Sequence, residues 1–360
     1  MNWLSDKLVT HLRSVADLPD LNGTKYRLLE KFSRGGMGTI YLAEDTNLGR
    51  KVALKVLHTP DASGELSARM TREARIIARL EHPSIVPVHD VGVLPDGRVF
   101  YVMKFVQGRR LDQYAQDSRS FPDLLRIFQK ICEAVAFAHA HGVIHRDLKP
   151  ENIMVGAFGE VLVMDWGLAK IVEAEGGGLR AKSGERRAES VGHVERNDNG
   201  LLSSRHETLH GTVMGTPAYM APEQKRGEID QIDQRTDVYA LGVILSFLLT
   251  GLGKAELAQK NSPVSATNSS ASPTLLNVKI PKSLTAICAK AMAEEKTQRY
   301  AGALDLANDI ERFLNGLAVS SYKENIFEKA WRWLKKYRFI VILITVYILV
   351  RILLILLLRP

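Results

Sequence analysis

The chain has 360 residues, 46% of them hydrophobic and 24% charged, and a formal net charge of +8. This balance is that of a globular protein, and it excludes a disordered, collagen-like or disulfide-rich chain. The length allows two lobes around one cleft, or two modest domains. Cys132 and Cys288 lie in apolar helical patterns without a CxxC partner. We interpret them as reduced core thiols in a reducing compartment.

The first 24 residues form a leader without the features of a secretory signal. Apolar residues recur in it at helical spacing with polar residues between them. This pattern predicts a short amphipathic helix packed on the first lobe. The apolar positions are Trp3, Leu4, Leu8, Leu12 and Val15.

Residues 25–172 alternate short strand-like runs with helices, and the first chemical signal is a glycine-rich run from Ser33 to Ile40. Gly35, Gly36 and Gly38 let the backbone approach phosphate oxygens and offer amide hydrogens to them. By itself this run is a weak indication of nucleotide binding. It also departs from the pattern G-x-G-x-x-G, because Ser33 stands in place of the first glycine.

A lysine and a glutamate follow at a spacing that indicates an ion pair. Lys55 ends an alternating strand, and Glu73 lies 18 residues later in a helical segment. A lone lysine is usually a solvated surface charge. At this interval, however, the two side chains can form the ion pair that orients a lysine toward the α- and β-phosphates of ATP.

The strongest signal is the run 145–152, His-Arg-Asp-Leu-Lys-Pro-Glu-Asn. In it, Asp147 supplies a carboxylate to align a substrate hydroxyl, and Lys149 a cation to neutralise a transferring phosphoryl group. Asn152 supplies an amide oxygen for Mg²⁺. Asp165, 18 residues after Asp147, begins Asp-Trp-Gly and adds the carboxylate that such a metal prefers.

With these motifs, the chain resembles the bacterial Hanks-type (eukaryotic-like) serine/threonine protein kinases from about Tyr26 to Gly316. The resemblance implies an α+β, bilobal protein kinase fold with a β-rich N-lobe at about 25–106 and a mainly α C-lobe at about 107–316. Three further segments support it: 215–223, which ends in Ala-Pro-Glu, 235–242, and 298–300.

The same resemblance implies further site residues. Adenine should lie between Ile40 and Ala53 above and Met154 below, with Met103 as gatekeeper and Val106 in the hinge. Four more residues take structural roles: Asp237 should hold the catalytic loop, Glu223 should pair with Arg299, and Thr216 should lie at the end of the activation segment. The implied ligands are ATP and Mg²⁺ (or Mn²⁺), and the implied substrates are serine or threonine hydroxyls of proteins.

Two departures from the family leave the choice of substrate open. Residues 173–210 have almost no apolar side chains, which predicts a mobile insertion in the activation segment. The stretch 262–273 is a second low-complexity loop. Arg146, next to the catalytic aspartate, implies regulation by a phosphate on the activation segment, with Thr208 and Thr212 as the candidate phosphosites.

The C-terminal part predicts a basic juxtamembrane segment, 317–338, and a transmembrane helix, 339–358. The run 339–358 is interrupted only by Thr345, Tyr347 and Arg351. Its apolar residues favour insertion by about 5 to 10 kcal/mol together, against a cost of about 3 kcal/mol for one arginine. The alternative is a buried C-terminal helix. The role of Arg351 stays open.

The sequence therefore predicts a tail-anchored serine/threonine kinase without an external sensor domain. ATP and the reduced thiols place the kinase domain in the cytoplasm, anchored by a single pass in the bacterial inner membrane. The basic run at 329–338 would then lie on the cytoplasmic side, in agreement with the positive-inside rule. A homodimer formed through the membrane helix is one hypothesis for its activation. The alternative function is an ATP-binding pseudokinase or scaffold at the membrane. A nucleic-acid binder is suggested by the net charge alone, and no recognition motif supports it.

Overall fold

The computed structural model describes residues 18–116, 120–171, 217–250 and 280–357. The first lobe is a five-stranded antiparallel sheet of β1 (Tyr26–Arg34), β2 (Gly38–Asp45), β3 (Arg50–Leu57), β4 (Val88–Val93) and β5 (Val99–Lys104). The strands lie in the order β1-β2-β3-β5-β4. Helix α1 (Glu65–Ala78) packs against β4 and β5.

Strand β3 divides its side chains between two apolar clusters. Ala53 and Leu57 join the main core, whereas alternate residues such as Val52 and Leu54 join a smaller cluster on the outer face of the sheet. The division follows from the two-residue period of a strand. It also puts Lys55 on the same face as Ala53, toward the second lobe.

The described end of the leader covers the outer face of the first lobe. Leu21 packs against the outer cluster, and the buried Arg98 donates a hydrogen bond to the carbonyl oxygen of Leu18 at 3.0 Å. The amphipathic helix predicted for the leader falls on residues 1–17, outside the described residues.

The second lobe is mainly helical, with short strands beneath the cleft. The strands are β6 (Gly108–Arg110), β7 (Val143–Ile144), β8 (Ile153–Gly156), β9 (Val161–Val163) and β10 (Lys170–Ile171). The helices are α2 (Leu111–Gln116), α3 (Phe121–Ala140), α4 (Pro222–Lys225), α5 (Gln234–Thr250), α6 (Lys282–Ala291), α7 (Ala303–Leu314), α8 (Ile326–Lys336) and α9 (Arg338–Leu357). Helices α3 and α7 pack together, as do α5 and α6.

Helix α5 lies at the centre of the second lobe. Its residues are buried around nearly the whole circumference, which explains why its sequence is apolar on every side. At Gly242 a β-carbon would lie 2.7 Å from Cβ of Ala291, so the glycine lets α5 and α6 approach closely. The helix begins at Gln234 and ends at Thr250.

The packing of the second lobe continues past residue 316, where the resemblance ends. Val319 is buried in the main core. Asp309 on α7 accepts hydrogen bonds from the backbone amides of Ser320 and Ser321 at 2.7 and 3.2 Å. The first part of the predicted juxtamembrane segment is therefore bound to the kinase lobe.

The last two helices of the described residues are α8 and α9. In the described part of the chain, no helix combines the length and the apolarity needed to cross a membrane. The side chains of α9 are described from Phe339 to Arg351, whereas the predicted span runs to residue 358.

Candidate active site

The glycine-rich run forms the turn between β1 and β2. The backbone amide of Gly35 donates to the carbonyl oxygen of Gly38 at 2.9 Å and closes the turn. A β-carbon on Gly38 would overlap the carbonyl oxygen of Val56, so only glycine fits there without a shift. Around Gly36 there is open space. Such a backbone cradle suits the phosphates of a nucleotide.

Lys55 lies beneath this turn in a buried ion pair. Its Nζ is 2.8 and 3.0 Å from the carboxylate oxygens of Glu73 and 3.6 Å from Oδ1 of Asp165. Burial by itself lowers the pKa of Lys55, but Tyr101, Glu73 and Asp165 together raise it above its ordinary value. Lys55 therefore keeps its charge in the cleft. The structure thus brings together the lysine and the glutamate that the sequence singled out.

The catalytic loop joins three of the predicted residues. Lys149 Nζ is 2.8 Å from Oδ2 of Asp147. The Nδ2 of Asn152 donates to the backbone oxygen of Asp147 at 2.9 Å, which leaves its amide oxygen as the group that can face a cation. The short 3-10 turn Pro150–Asn152 fixes this spacing.

Asp237 on α5 holds the catalytic loop from below. Its carboxylate accepts hydrogen bonds from the backbone amides of His145 and Arg146 at 2.8 and 2.9 Å and lies 2.8 Å from Nε2 of His139. Burial by itself raises the pKa of Asp237, but the contact with His139, the nearby ring of His145 and the hydrogen bond from the Arg146 amide lower it below its ordinary value. The anchored loop holds Arg146 at a φ of 69°, in the left-handed region.

The segment Asp165–Gly167 also departs from ordinary backbone geometry. Asp165 has a φ of 54° and an exposed side chain, and the following Trp166 is buried. The Trp166 ring packs on the ring of His145, with centroids 4.6 Å apart. The ring of Trp166 therefore has a packing role beside the catalytic loop.

Glu223 and Arg299 form a fully buried, bidentate pair. The two guanidinium nitrogens are 2.8 and 2.9 Å from the two carboxylate oxygens, and Thr236 donates to Oε1 at 2.9 Å. Burial by itself raises the pKa of Glu223, but the hydrogen bonds from Arg299 lower it below its ordinary value. The pair ties α4 to the turn before α7.

The residues expected around adenine line the two sides of the cleft. Ala53 and Met103 are register partners on neighbouring strands and are buried. Ile40 is half-buried on β2, Val106 is buried after β5, and Met154 is half-buried on β8 of the second lobe. Thr208, Thr212 and Thr216 lie outside the described residues.

The sequence does not identify two residues that contribute to the site. Tyr101 donates its hydroxyl hydrogen to Oε1 of Glu73 at 2.9 Å. His139 contacts Asp237, which is 98 residues away in the chain. Both lie in apolar runs, where the sequence pattern predicts only packing.

The residues present fit ATP with a divalent cation. The cradle at Gly38 admits backbone amides but no side chain, Lys55 is a buried cation, and the oxygens of Asn152 and Asp165 are ligands that Mg²⁺ prefers. Among the described residues, no preformed cluster of three or more histidine, cysteine or carboxylate ligands is present. A cation held by few protein oxygens together with phosphates agrees with this donor set.

The comparison with solved structures supports the fold. The chain is similar to the kinase domain of PknI from M. tuberculosis, with a TM-score of 0.53 and 24% identity, covering 81% of this chain and 96% of that domain. At this identity the likeness concerns the fold alone, and it confirms the predicted bilobal architecture.

The comparison with curated proteins gives more similar relatives. The serine/threonine-protein kinase PknD of Chlamydia felis is 36% identical over 308 residues, which are 81% of this chain and 31% of that protein. PknD of Protochlamydia amoebophila is 33% identical over 318 residues, which are 81% and 30% of the two chains. The chain thus spans about a third of the length of the curated relatives it matches. The family model described as protein kinase domain matches residues 26–310, and the chain belongs to the protein kinase family.

Proposed function

We propose that this chain is an active serine/threonine protein kinase that transfers the γ-phosphate of ATP to hydroxyl groups of proteins. The observation that carries the proposal is the catalytic loop, in which Asp147 is fixed by Lys149 and Asn152. ATP with Mg²⁺ (or Mn²⁺) would supply the phosphoryl group and neutralise its charge. The names of the PknD relatives support serine and threonine as acceptors.

The residues of the chain divide the work of phosphoryl transfer. The Asp147 carboxylate orients the acceptor hydroxyl and takes up its proton. Lys149 and Lys55 place positive charge in a site of reduced water access, where it counts for more than in bulk water. Asn152 and Asp165 would hold the cation. Because Lys55 already contacts Glu73, and Lys149 already contacts Asp147, these side chains need little rearrangement before transfer.

One substitution tests whether the chain is an enzyme or the alternative, a pseudokinase scaffold. Asp147→Asn should lower transfer to a protein substrate by about 10²- to 10⁴-fold and leave nucleotide affinity unchanged. Asp305→Asn, on the exposed face of α7, is the matched control and should transfer as the parent does. Equal transfer rates for Asp147→Asn and the parent would favour the scaffold.

We further propose regulation by autophosphorylation at Thr208 or Thr212. A group of three arginines supports this proposal. Burial, together with the charges of Arg72 and Arg69 on α1, lowers the pKa of Arg146 below its ordinary value. Such a cluster of like charges would be relieved by a phosphate on the activation segment. Phosphopeptide mapping after incubation with Mg·ATP tests the sites, and finding neither threonine modified rejects this part.

The arginine cluster has its own test. The double variant Arg69→Gln/Arg72→Gln should lose most of the rise in transfer rate that follows preincubation with Mg·ATP. Arg75→Gln, which changes another exposed arginine one turn further along the same helix, should keep that rise. If both variants respond as the parent does, the three arginines do not bind a phosphate of the activation segment.

The C-terminal region is proposed as a single-pass anchor of the bacterial inner membrane, with the kinase domain cytoplasmic. Two features support this: the apolar run 339–358, and the exposure of large side chains such as Phe339 and Leu343, at 71% each. The basic residues before it would lie on the cytoplasmic side. They are Lys329, Arg332, Lys335, Lys336 and Arg338.

Membrane fractionation tests the anchor. The full chain should stay with membranes in carbonate at high pH, and a chain ending before residue 326 should be released. Release of the full chain would reject the anchor. Chemical crosslinking of the full chain and of the shortened chain tests the homodimer. A crosslinked dimer should appear only when the run 339–358 is present.

A further inference from the structure

His58, outside the predicted site, contacts both ends of the glycine-rich turn. It directly follows β3, and its Nε2 is 2.9 Å from the carbonyl oxygen of Gly35. Its other ring nitrogen, Nδ1, is 3.3 Å from Oγ1 of Thr39 on β2. The imidazole therefore bridges the turn that forms the phosphate cradle and the strand that leaves it.

The chemistry of the partners assigns the hydrogens of this bridge. A carbonyl oxygen only accepts, so Nε2 of His58 carries a hydrogen and donates it to Gly35. The hydroxyl of Thr39 can donate to a bare Nδ1 or accept from a protonated one. The bridge is therefore compatible with both the neutral and the charged ring.

The bridge restrains the part of the turn that has the greatest backbone freedom. Gly35 is held through its amide by Gly38 and through its carbonyl by His58, whereas Gly36 has open space around it. Glycines lose the most conformational freedom when they are ordered, so a flexible cradle would lose affinity on closing over phosphates. A turn that is already restrained loses less.

We propose that His58 is a positioning residue that pre-organises the glycine-rich turn for the triphosphate of its nucleotide. The inference rests on the proposed function only in taking the nucleotide to be ATP. His58 should strengthen the binding of the phosphates and not that of the adenine ring, because its contacts lie on the turn and on the start of β2. In steady-state kinetics, removing the His58 side chain should raise KM for ATP and leave kcat nearly unchanged.

Titration of the full chain in detergent with two ligands tests this directly. The first is the non-hydrolysable analogue AMP-PNP with Mg²⁺, and the second is adenosine, which lacks phosphates. His58→Ala should weaken binding of the analogue about three- to tenfold, the range expected for one lost hydrogen bond, and leave adenosine binding unchanged. His58→Gln should recover most of the loss, because its amide can donate to the same carbonyl.

The controls separate positioning from stability. His89→Ala, on the edge strand β4 of the same lobe, should bind both ligands as the parent does. The proposal is overturned if His58→Ala binds the analogue as the parent does, or loses both ligands equally. It is also overturned if His58→Gln is no better than His58→Ala. Because binding is measured without turnover, a parent that binds the analogue but fails to phosphorylate would reject the kinase activity and leave this inference standing.

Discussion

The hydroxyl of Tyr101 on β5 donates to the same oxygen of Glu73 on α1 that binds Lys55. The distances to Oε1 are 2.9 Å from the tyrosine oxygen and 2.8 Å from the lysine nitrogen. Tyr101 lies opposite Lys55 in the register of β3 and β5, and burial raises its pKa above the ordinary value, so it stays a donor. The ion pair is therefore a triad, held from the sheet as well as from the helix.

Removing that hydroxyl should weaken catalysis without disturbing the fold. Tyr101→Phe leaves the buried carboxylate of Glu73 with one partner fewer, a loss of about 1.4 kcal/mol, or about tenfold in kcat/KM. Tyr26→Phe is the matched control, because its hydroxyl binds Asp90 at 2.7 Å in the same lobe, away from the cleft. Steady-state kinetics of both variants check this, and equal values of kcat/KM would contradict it.

The buried pair of Glu223 and Arg299 should dominate the stability of the second lobe. Arg299→Met leaves an unpaired charge on a carboxylate that is 1% exposed, and should lower the free energy of unfolding by about 3–5 kcal/mol. Arg226→Met, which removes an exposed pair with Glu228, should change it little. Urea unfolding followed by circular dichroism measures both. Similar effects of the two changes would show that burial does not decide the outcome.

The same carboxylates predict a loss of stability in acid. The pKa of Glu223 is lowered from its ordinary 4.5, and that of Asp237 from 3.8. A carboxyl with a lowered pKa in the folded state contributes its full stabilisation above the ordinary value, and the contribution is lost as the pH falls through the lowered value. The free energy of unfolding should therefore fall below about pH 4.5. Glu223→Gln should show a shallower fall, and an unchanged slope would count against the assignment.

The glycine-rich turn should tolerate a methyl group at one glycine and not at another. Gly38→Ala forces a β-carbon onto the carbonyl oxygen of Val56 and should cost about 1–3 kcal/mol of stability. Gly36→Ala meets open space, and its stability should stay within about 0.5 kcal/mol of the parent. Thermal unfolding of the two variants, measured side by side, tests the difference. Equal melting temperatures would mean that the turn relaxes at no cost.

Most of the site could be predicted because its residues stand at short, characteristic intervals. Asp147, Lys149 and Asn152 share one loop, so local spacing alone brings them together. The pair of Lys55 and Glu73 needed one further assumption, that a strand and the next helix face each other. The structure has them 2.8 Å apart.

The contacts that escaped prediction join distant or unremarkable positions. His139 and Asp237 lie on α3 and α5, and nothing in the spacing of the two helices indicates that they meet. Tyr101 lies in a run of buried residues, where a hydroxyl cannot be distinguished from a packing group by periodicity. His58 reaches the glycine-rich turn only because β2 and β3 pair in a register that places Thr39 opposite Val56.

The sequence by itself determined the family, the bilobal fold and the set of residues available for phosphoryl transfer. These depend on residue types at local spacings, which the chain carries whatever its packing. Only the tertiary structure decided how those residues are held: His139 against Asp237, Tyr101 on the ion pair, and His58 on the glycine-rich turn. The reason is physical, since a hydrogen bond between distant residues depends on sheet register and helix packing, and both arise only when the whole core forms.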